Sequence, residues 1–122
     1  MPSLNCPIMD HYHEEFDALL AAFNINDFAR SFERLINQTV EHFTHEEALM
    51  KEHHFQGYSE HKEEHQKILN ELAYFYEMTQ NGRMVFAKNY IQHGIRERFD
   101  LHIGNIDSQL ALFLKQHNAC LS

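Results

Sequence analysis

Histidines and carboxylates spaced four residues apart constrain the fold of this chain more than any other feature. His42 precedes Glu46 by four residues, and His61 precedes His65 by the same interval. Each residue of an α-helix turns the chain by about 100°, so residues four apart point from one face towards the same spot. Both pairs therefore predict helices that present possible metal ligands on one side.

The apolar residues predict four helices. They recur at steps of three and four residues in blocks that run approximately over 10–23, 27–53, 59–79 and 83–117. Apolar residues make up 43% of the chain, while only four Gly and two Pro are present, which favours helices over a turn-rich β fold. We therefore predict an all-α fold, an antiparallel up-down-up-down four-helix bundle, formed by residues 1–122 as a single domain.

The fourth block carries a different spacing. His102 and Asp107 are five residues apart, which is roughly 140° of rotation in a regular α-helix. The two side chains should therefore not hold one small ion as the four-residue pairs do, but they can reach two neighbouring ions if the carboxylate bridges them. Gly104 lies between them, and an interior Gly costs about 1 kcal/mol relative to Ala, so we expect a distorted or closely approached helix there.

The candidate ligands are five imidazoles and two carboxylates that fall in all four blocks. They are His13, His42, Glu46, His61, His65, His102 and Asp107. Such donors suit iron, zinc or copper, and the lack of Cys ligands disfavours a structural zinc site. If both carboxylates bridge and an oxide or hydroxide is added, two octahedral ions would keep one open position. Neutral imidazoles favour a ferrous pair, which indicates reversible dioxygen binding rather than dioxygen cleavage.

The four motifs together resemble the haemerythrins, specifically the single-domain bacterial haemerythrin-like proteins (bacteriohaemerythrins). The resemblance extends from Ile8 to about Phe113. Its motifs, in chain order, are the segment from Ile8 and Asp10 to His13 and Phe16, then His42, Phe43, Glu46, Glu47 and Met50, then Tyr58, His61 and His65, and finally His102, Ile103 and Asp107. All seven ligand positions of that family are filled in order and with matching internal spacings.

The resemblance implies a centre of two non-haem iron ions, bridged by an oxo or hydroxo group and by Glu46 and Asp107. One iron would be held by three imidazoles and the other, which would take dioxygen, by two. The three are His61, His65 and His102, and the two are His13 and His42. The resemblance also implies that the oxygen pocket is lined by Phe43, Phe99 and Ile103.

The chain departs from the family pattern beside the third and fourth motifs. Arg98 stands where the family usually has Trp, Phe99 replaces a usual Leu, and Ser59 replaces a frequent Pro. We expect the charged Arg98 and the bulkier Phe99 to affect oxygen affinity and autoxidation without touching the ligands. Glu47 should point about 100° away from Glu46 to the surface, and the run 60–64, apart from His61, should be a solvated face.

The net charge of −8 argues against a nucleic-acid partner, which would need a basic surface. No apolar run approaches the roughly 20 residues that span a bilayer, and the first residues lack a signal-peptide pattern. We therefore expect a cytoplasmic protein without a membrane partner. Cys6 and Cys120 should then be reduced thiols, although an up-down bundle would bring the chain ends close enough for a disulfide.

The function expected from these residues is reversible dioxygen binding, for storage, delivery or sensing, and not an enzymatic activity. Two alternatives stay open. One is a di-iron oxidase or peroxidase, which would need a substrate pocket or a proton-relay residue near the open position. The other is a module that handles nitric oxide or iron, which the sequence does little to separate from an oxygen carrier.

Overall fold

The structure, a computed structural model, describes residues 3–121, and its regular elements are all helical. Three uninterrupted α-helices are followed by a longer, interrupted one, which we number α4 and which spans 84–116. The uninterrupted helices are α1 (Pro7–Ala21), α2 (Phe28–Glu52) and α3 (Tyr58–Gln80). A short 3-10 turn, Ile25–Asp27, leads into α2. The predicted all-α fold is thus confirmed, with helix bounds within three residues of the four predicted blocks.

The helix α4 changes its winding twice. Its α-helical segments are Met84–Asn89, Ile95–His102 and Ser108–Gln116, and they alternate with the π-helical turns Tyr90–Gly94 and Ile103–Asp107. Each π-helical turn contains one glycine, Gly94 or Gly104. The distortion expected at Gly104 is therefore present, but a Cβ added there would meet no atom within 4 Å, so the helix is not closely approached.

Local polar contacts set the ends of the helices. Asp10, in the first turn of α1, accepts hydrogen bonds from the backbone N–H groups of Leu4 and Cys6 at 2.8 and 3.1 Å. This carboxylate satisfies donors at the helix N-terminus, where the helix dipole favours negative charge. Gly82, with a φ of 77°, lies in the turn between α3 and α4, a conformation that L side chains rarely adopt.

Neighbouring helices pair residues that come early in one helix with residues that come late in the other. The Phe32 ring near the start of α2 lies 5.8 Å from the Tyr76 ring near the end of α3. Further along α2, the Phe43 ring lies 3.8 Å from the His65 ring. The same order relates α3 to α4, where the Phe75 ring stacks on the Tyr90 ring. Between α1 and α4, Phe16 stacks on Phe99 in the middle of α4, while Ile8 near the start of α1 donates a hydrogen bond to Cys120 beyond the end of α4.

The apolar core is divided into two clusters by a polar layer. The cluster nearer the turn between α1 and α2 includes Phe16, Phe32, Leu35, Ile68, Leu72, Ile95 and Phe99. The cluster nearer the chain ends includes Cys6, Met9, Leu49, Met50, Leu110 and Leu114. On the first and last helices, the predicted ligand positions fall between the two sets along the chain, with His13 between Met9 and Phe16 and with His102 and Asp107 between Phe99 and Leu110. None of the helices within residues 3–121 has the length and apolar character needed to cross a membrane.

The chain ends are joined by a disulfide between Cys6 and Cys120, with their Cα atoms 4.8 Å apart. The backbone N–H of Ile8 also donates to the carbonyl of Cys120 at 2.9 Å. The prediction of two reduced thiols was therefore wrong, because α1 begins where the segment after α4 ends. The cytoplasmic location inferred alongside it stays a prediction.

Reduction of this disulfide should destabilise the protein. The bond closes a loop with a sequence separation of 114 residues, so its loss frees a long stretch of the unfolded chain. We expect the free energy of unfolding, measured by urea titration, to fall by about 2–4 kcal/mol when a thiol reductant is added. The C6S/C120S double variant should show the lower stability and no response to reductant. A wild-type stability that does not depend on reductant would contradict the disulfide.

Candidate metal centre

The structure brings together all seven predicted ligand residues in the polar layer. Each is at most 3% exposed, which is unusual for side chains that can carry charge. They come from every long helix: His13 from α1, His42 and Glu46 from α2, His61 and His65 from α3, and His102 and Asp107 from α4.

Two imidazoles face one side of the carboxylate pair. The Nε2 atom of His42 lies 2.5 Å from Oε2 of Glu46, and the Nε2 atom of His13 lies 3.0 Å from Oδ2 of Asp107. The ligand atoms of these four residues all lie within 4.8 Å of one another. This first group therefore can hold a metal ion.

Three imidazoles face the other oxygen of each carboxylate. The Nε2 atom of His61 lies 3.2 Å from Oε1 of Glu46 and 3.0 Å from Oδ1 of Asp107. The Nε2 atoms of His65 and His102 lie 3.1 Å from Oε1 of Glu46 and 2.9 Å from Oδ1 of Asp107, respectively. The ligand atoms of this second group again lie within 4.8 Å of one another.

Several of these close approaches are not hydrogen bonds. The Nε2 atoms of His61 and His102 and the Oδ1 atom of Asp107 are buried and form none. Burial of polar atoms without partners is costly. Metal bonds of about 2.1 Å at right angles would separate neighbouring ligand atoms by about 3.0 Å, which is close to the spacing observed here. The donor set therefore fits a metal ion better than it fits a hydrogen-bonded polar cluster.

The π-helical turn in α4 explains how His102 and Asp107 come together. In a regular α-helix, residues five apart diverge by roughly 140°, so the spacing predicted that these two could not hold one ion as the four-residue pairs do. The turn Ile103–Asp107 follows i→i+5 geometry instead, which aligns residues five apart. His102 and Asp107 consequently converge on one ligand group, so the 140° divergence of a regular helix does not apply to them. The four-residue pairs on α2 and α3 lie in regular helix and converge as predicted.

The carboxylates are held in their charged form by the imidazoles around them. Burial alone would raise the pKa of Glu46, but contacts with His42, His61 and His65 outweigh it and hold the pKa well below its usual range. Burial and Glu46 likewise oppose ionisation of Asp107, yet His102 and His13 keep its pKa below the usual range.

The pKa of the His61 imidazole is raised, whereas those of the two carboxylates are lowered. Burial disfavours its protonated form, but Asp107 and Glu46 outweigh burial and raise the pKa of His61 to about 9. Positive charge is thus favoured between the two carboxylates. A bound cation would supply that charge and release the proton.

Glu47 supports one of the ligand imidazoles. Its Oε2 atom accepts a hydrogen bond at 2.9 Å from Nδ1 of His65, which leaves Nε2 of His65 facing the cluster. The prediction that Glu47 is a surface residue was wrong, because α3 packs against it and leaves its side chain 24% exposed. On the other side of the imidazole, the Phe43 ring stacks on His65 with an interplanar angle of 5°.

Glu64 and Arg98 form an ion pair beside another ligand. The Nη1 atom of Arg98 lies 2.7 Å from Oε1 of Glu64, and the same oxygen lies 3.8 Å from Nδ1 of His102. Burial opposes ionisation of Glu64, but Arg98 lowers its pKa. Glu64 was predicted to lie on a solvated face, yet its side chain is only 19% exposed. The ion pair joins Arg98 to Glu64 and not to a predicted ligand, but the same Glu64 oxygen also lies near His102.

The residues expected to line an oxygen pocket are buried near these imidazoles. Phe43 and Phe99 are each 1% exposed, and Ile103 is fully buried. Phe99 stacks on Phe16, with ring centroids 4.3 Å apart. Tyr12, which the sequence did not single out, lies parallel to the His42 ring at 5.1 Å. A role of Phe43, Phe99 and Ile103 in oxygen binding stays a prediction.

Neither the known family models nor the solved structures classify the chain. No protein-family model matches it, and no solved structure matches it significantly. The fold and site therefore define only a class: an all-helical protein with a buried histidine and carboxylate cluster that can hold metal.

Removal of the Glu46 charge should weaken metal binding. Glu46 belongs to both ligand groups, so we expect Glu46→Gln to lower the affinity for a divalent metal at least about 10-fold. Competition with a chromophoric chelator would measure this affinity. Glu41→Gln, an exposed change on the same helix, should leave it unaltered. An E46Q variant that binds metal as tightly as the wild type would contradict the assignment.

Proposed function

We propose that this protein binds dioxygen reversibly at a non-haem di-iron centre, as its resemblance to the haemerythrins implies. The observation that supports the proposal is that the two oxygens of each carboxylate face different imidazoles. Glu46 and Asp107 each have one oxygen beside one imidazole, that of His42 or of His13. The other oxygen of each lies beside two of the remaining three imidazoles, which are His61 and His65 for Glu46 and His61 and His102 for Asp107. Carboxylates shared in this way suit a pair of ions rather than one.

In this proposal, each ion has its own set of imidazoles. One set is His61, His65 and His102, and the other is His13 and His42. The up-down-up-down order of the four helices belongs to the same proposal. It is supported by the pairing of early with late residues between neighbouring helices, which lets every helix supply ligands to one polar layer.

Iron fits the donor set. Imidazole nitrogens and carboxylate oxygens suit iron, and the two cysteines are paired with each other rather than available as ligands. Two carboxylates against five imidazoles form a weakly anionic site, which favours the ferrous state. A ferrous pair supplies the electrons that hold dioxygen when it binds.

The protein's own residues favour binding over further chemistry. His13 and His42 offer two imidazoles to one ion, whereas the other ion would have three. The open coordination position would therefore be on the ion held by His13 and His42. The ring of Phe43 lies 5.2 Å from that of His42. Phe43, Phe99 and Ile103 are all buried, and their apolar side chains would limit the water and proton access that dioxygen cleavage requires. We therefore propose a carrier or store of dioxygen, not an enzyme.

The test uses the protein loaded with ferrous iron under argon. We expect metal analysis to give two irons per chain. Admission of air should produce ligand-to-iron charge-transfer bands in the near-ultraviolet and visible range. The bands should bleach under renewed argon, and the oxygen taken up should be recovered as gas over several cycles.

Other outcomes would favour the alternatives or remove the proposal. Stoichiometric oxidation of an added small reductant, with no oxygen recovered, would indicate an oxidase or peroxidase. Ready transfer of iron to an acceptor, or nitric oxide bound tightly without oxygen binding, would indicate the iron- or nitric-oxide-handling module. A protein that holds two irons and stays colourless in air would contradict dioxygen binding.

A further inference from the structure

Two imidazoles of the same ligand group have different outer partners. His65 donates from Nδ1 to Glu47 at 2.9 Å, a normal hydrogen bond. The Nδ1 atom of His102 is buried but has no hydrogen-bond partner. Oε1 of Glu64 lies 3.8 Å from it, too far for a hydrogen bond. The imidazole of His65 therefore donates a hydrogen bond to a carboxylate, whereas that of His102 has a carboxylate nearby but forms no hydrogen bond with it.

Arg98 accounts for the position of Glu64. Its Nη1 atom lies 2.7 Å from Oε1 of Glu64, the same oxygen that faces His102. Its Nε atom lies 3.7 Å from Glu71, which in turn accepts a hydrogen bond from the hydroxyl of Tyr90 at 2.8 Å. Tyr90 begins the first π-helical turn of α4. Arg98 is thus fixed between two carboxylates, and it competes with His102 for one oxygen.

We propose that Arg98 is a positioning residue that lowers the donor strength of His102 by holding the Glu64 carboxylate away from it. A carboxylate that accepts from the outer N–H of a ligand imidazole makes that imidazole a stronger donor. A stronger donor stabilises the oxidised metal. Arg98 therefore weakens metal binding at this ligand and favours the reduced state. The proposal rests on the metal centre of the proposed function.

Arg98→Gln tests the proposal directly. Without the guanidinium, Glu64 can close onto Nδ1 of His102. We expect the R98Q variant to bind Co²⁺ about 10-fold more tightly than the wild type in a chelator competition. In the iron-loaded protein, a redox titration followed by absorbance should give a lower reduction potential.

The same substitution made in an E64Q variant distinguishes an effect of Arg98 through Glu64 from an effect of the Arg98 charge itself. If Arg98 acts through Glu64, R98Q should change neither Co²⁺ affinity nor potential when it is introduced into an E64Q variant. If its charge acts through space, R98Q should cause the same change in both backgrounds. Equal changes would overturn the proposal, as would an unchanged affinity and potential in R98Q alone.

Arg96 provides the matched control on the same helix. It pairs with Asp17 at 3.2 Å, so Arg96→Gln also removes one positive charge and one ion pair. We expect R96Q to leave Co²⁺ affinity and potential unchanged. The R98Q and E64Q variants both break the ion pair between Arg98 and Glu64, so a purely structural role of that pair would change Co²⁺ affinity in the same direction in both variants.

Failure of this inference differs from failure of the proposed function. If Co²⁺ binds and R98Q tightens it only when Glu64 is present, the inference stands even if the iron-loaded protein takes up no oxygen. If the wild type takes up oxygen reversibly but R98Q has no effect, Arg98 has no positioning role. If neither Co²⁺ nor iron binds at the seven residues, both are overturned.

Discussion

Two buried carboxylates determine how the rest of this molecule is arranged. Glu46 and Asp107 lie in the middle of the core, and each faces imidazoles from both ligand groups. A carboxylate at this depth is destabilising unless positive charge or hydrogen-bond donors surround it. Five imidazoles answer that requirement, and apolar clusters on either side of the layer exclude water from it. The polar layer can therefore hold a cation between the carboxylates, and all four helices supply possible ligands to it.

The fourth helix adapts its winding to this requirement. The π-helical turn Ile103–Asp107 brings a histidine and a carboxylate five residues apart to the same ligand group, at the expense of regular hydrogen bonding. Such turns often occur at functional sites. The first π-helical turn, Tyr90–Gly94, lies where Tyr90 and Glu71 support Arg98. The disulfide between Cys6 and Cys120 joins the chain ends within the apolar cluster nearer to them.

The sequence predicted those features that depend on regular helix geometry. The spacing of His42 from Glu46, and of His61 from His65, was sufficient because α2 and α3 are regular there. It did not predict the convergence of His102 with Asp107, since a change of winding is not visible in spacing alone. It also missed the contacts of Glu47 and Glu64 with ligand imidazoles. Those contacts lie between helices, so they depend on how the helices pack rather than on which face of its own helix a residue occupies.

In the proposed function, side chains from four helices hold two iron ions between the same two carboxylates. Anomalous diffraction at the iron absorption edge, from crystals of the iron-loaded protein, tests it most directly. The account predicts two anomalous peaks about 3.5–4 Å apart, between Glu46 and Asp107, with the Nε2 atoms of three histidines around one and of two around the other. A single peak, or peaks elsewhere on the protein, would contradict it.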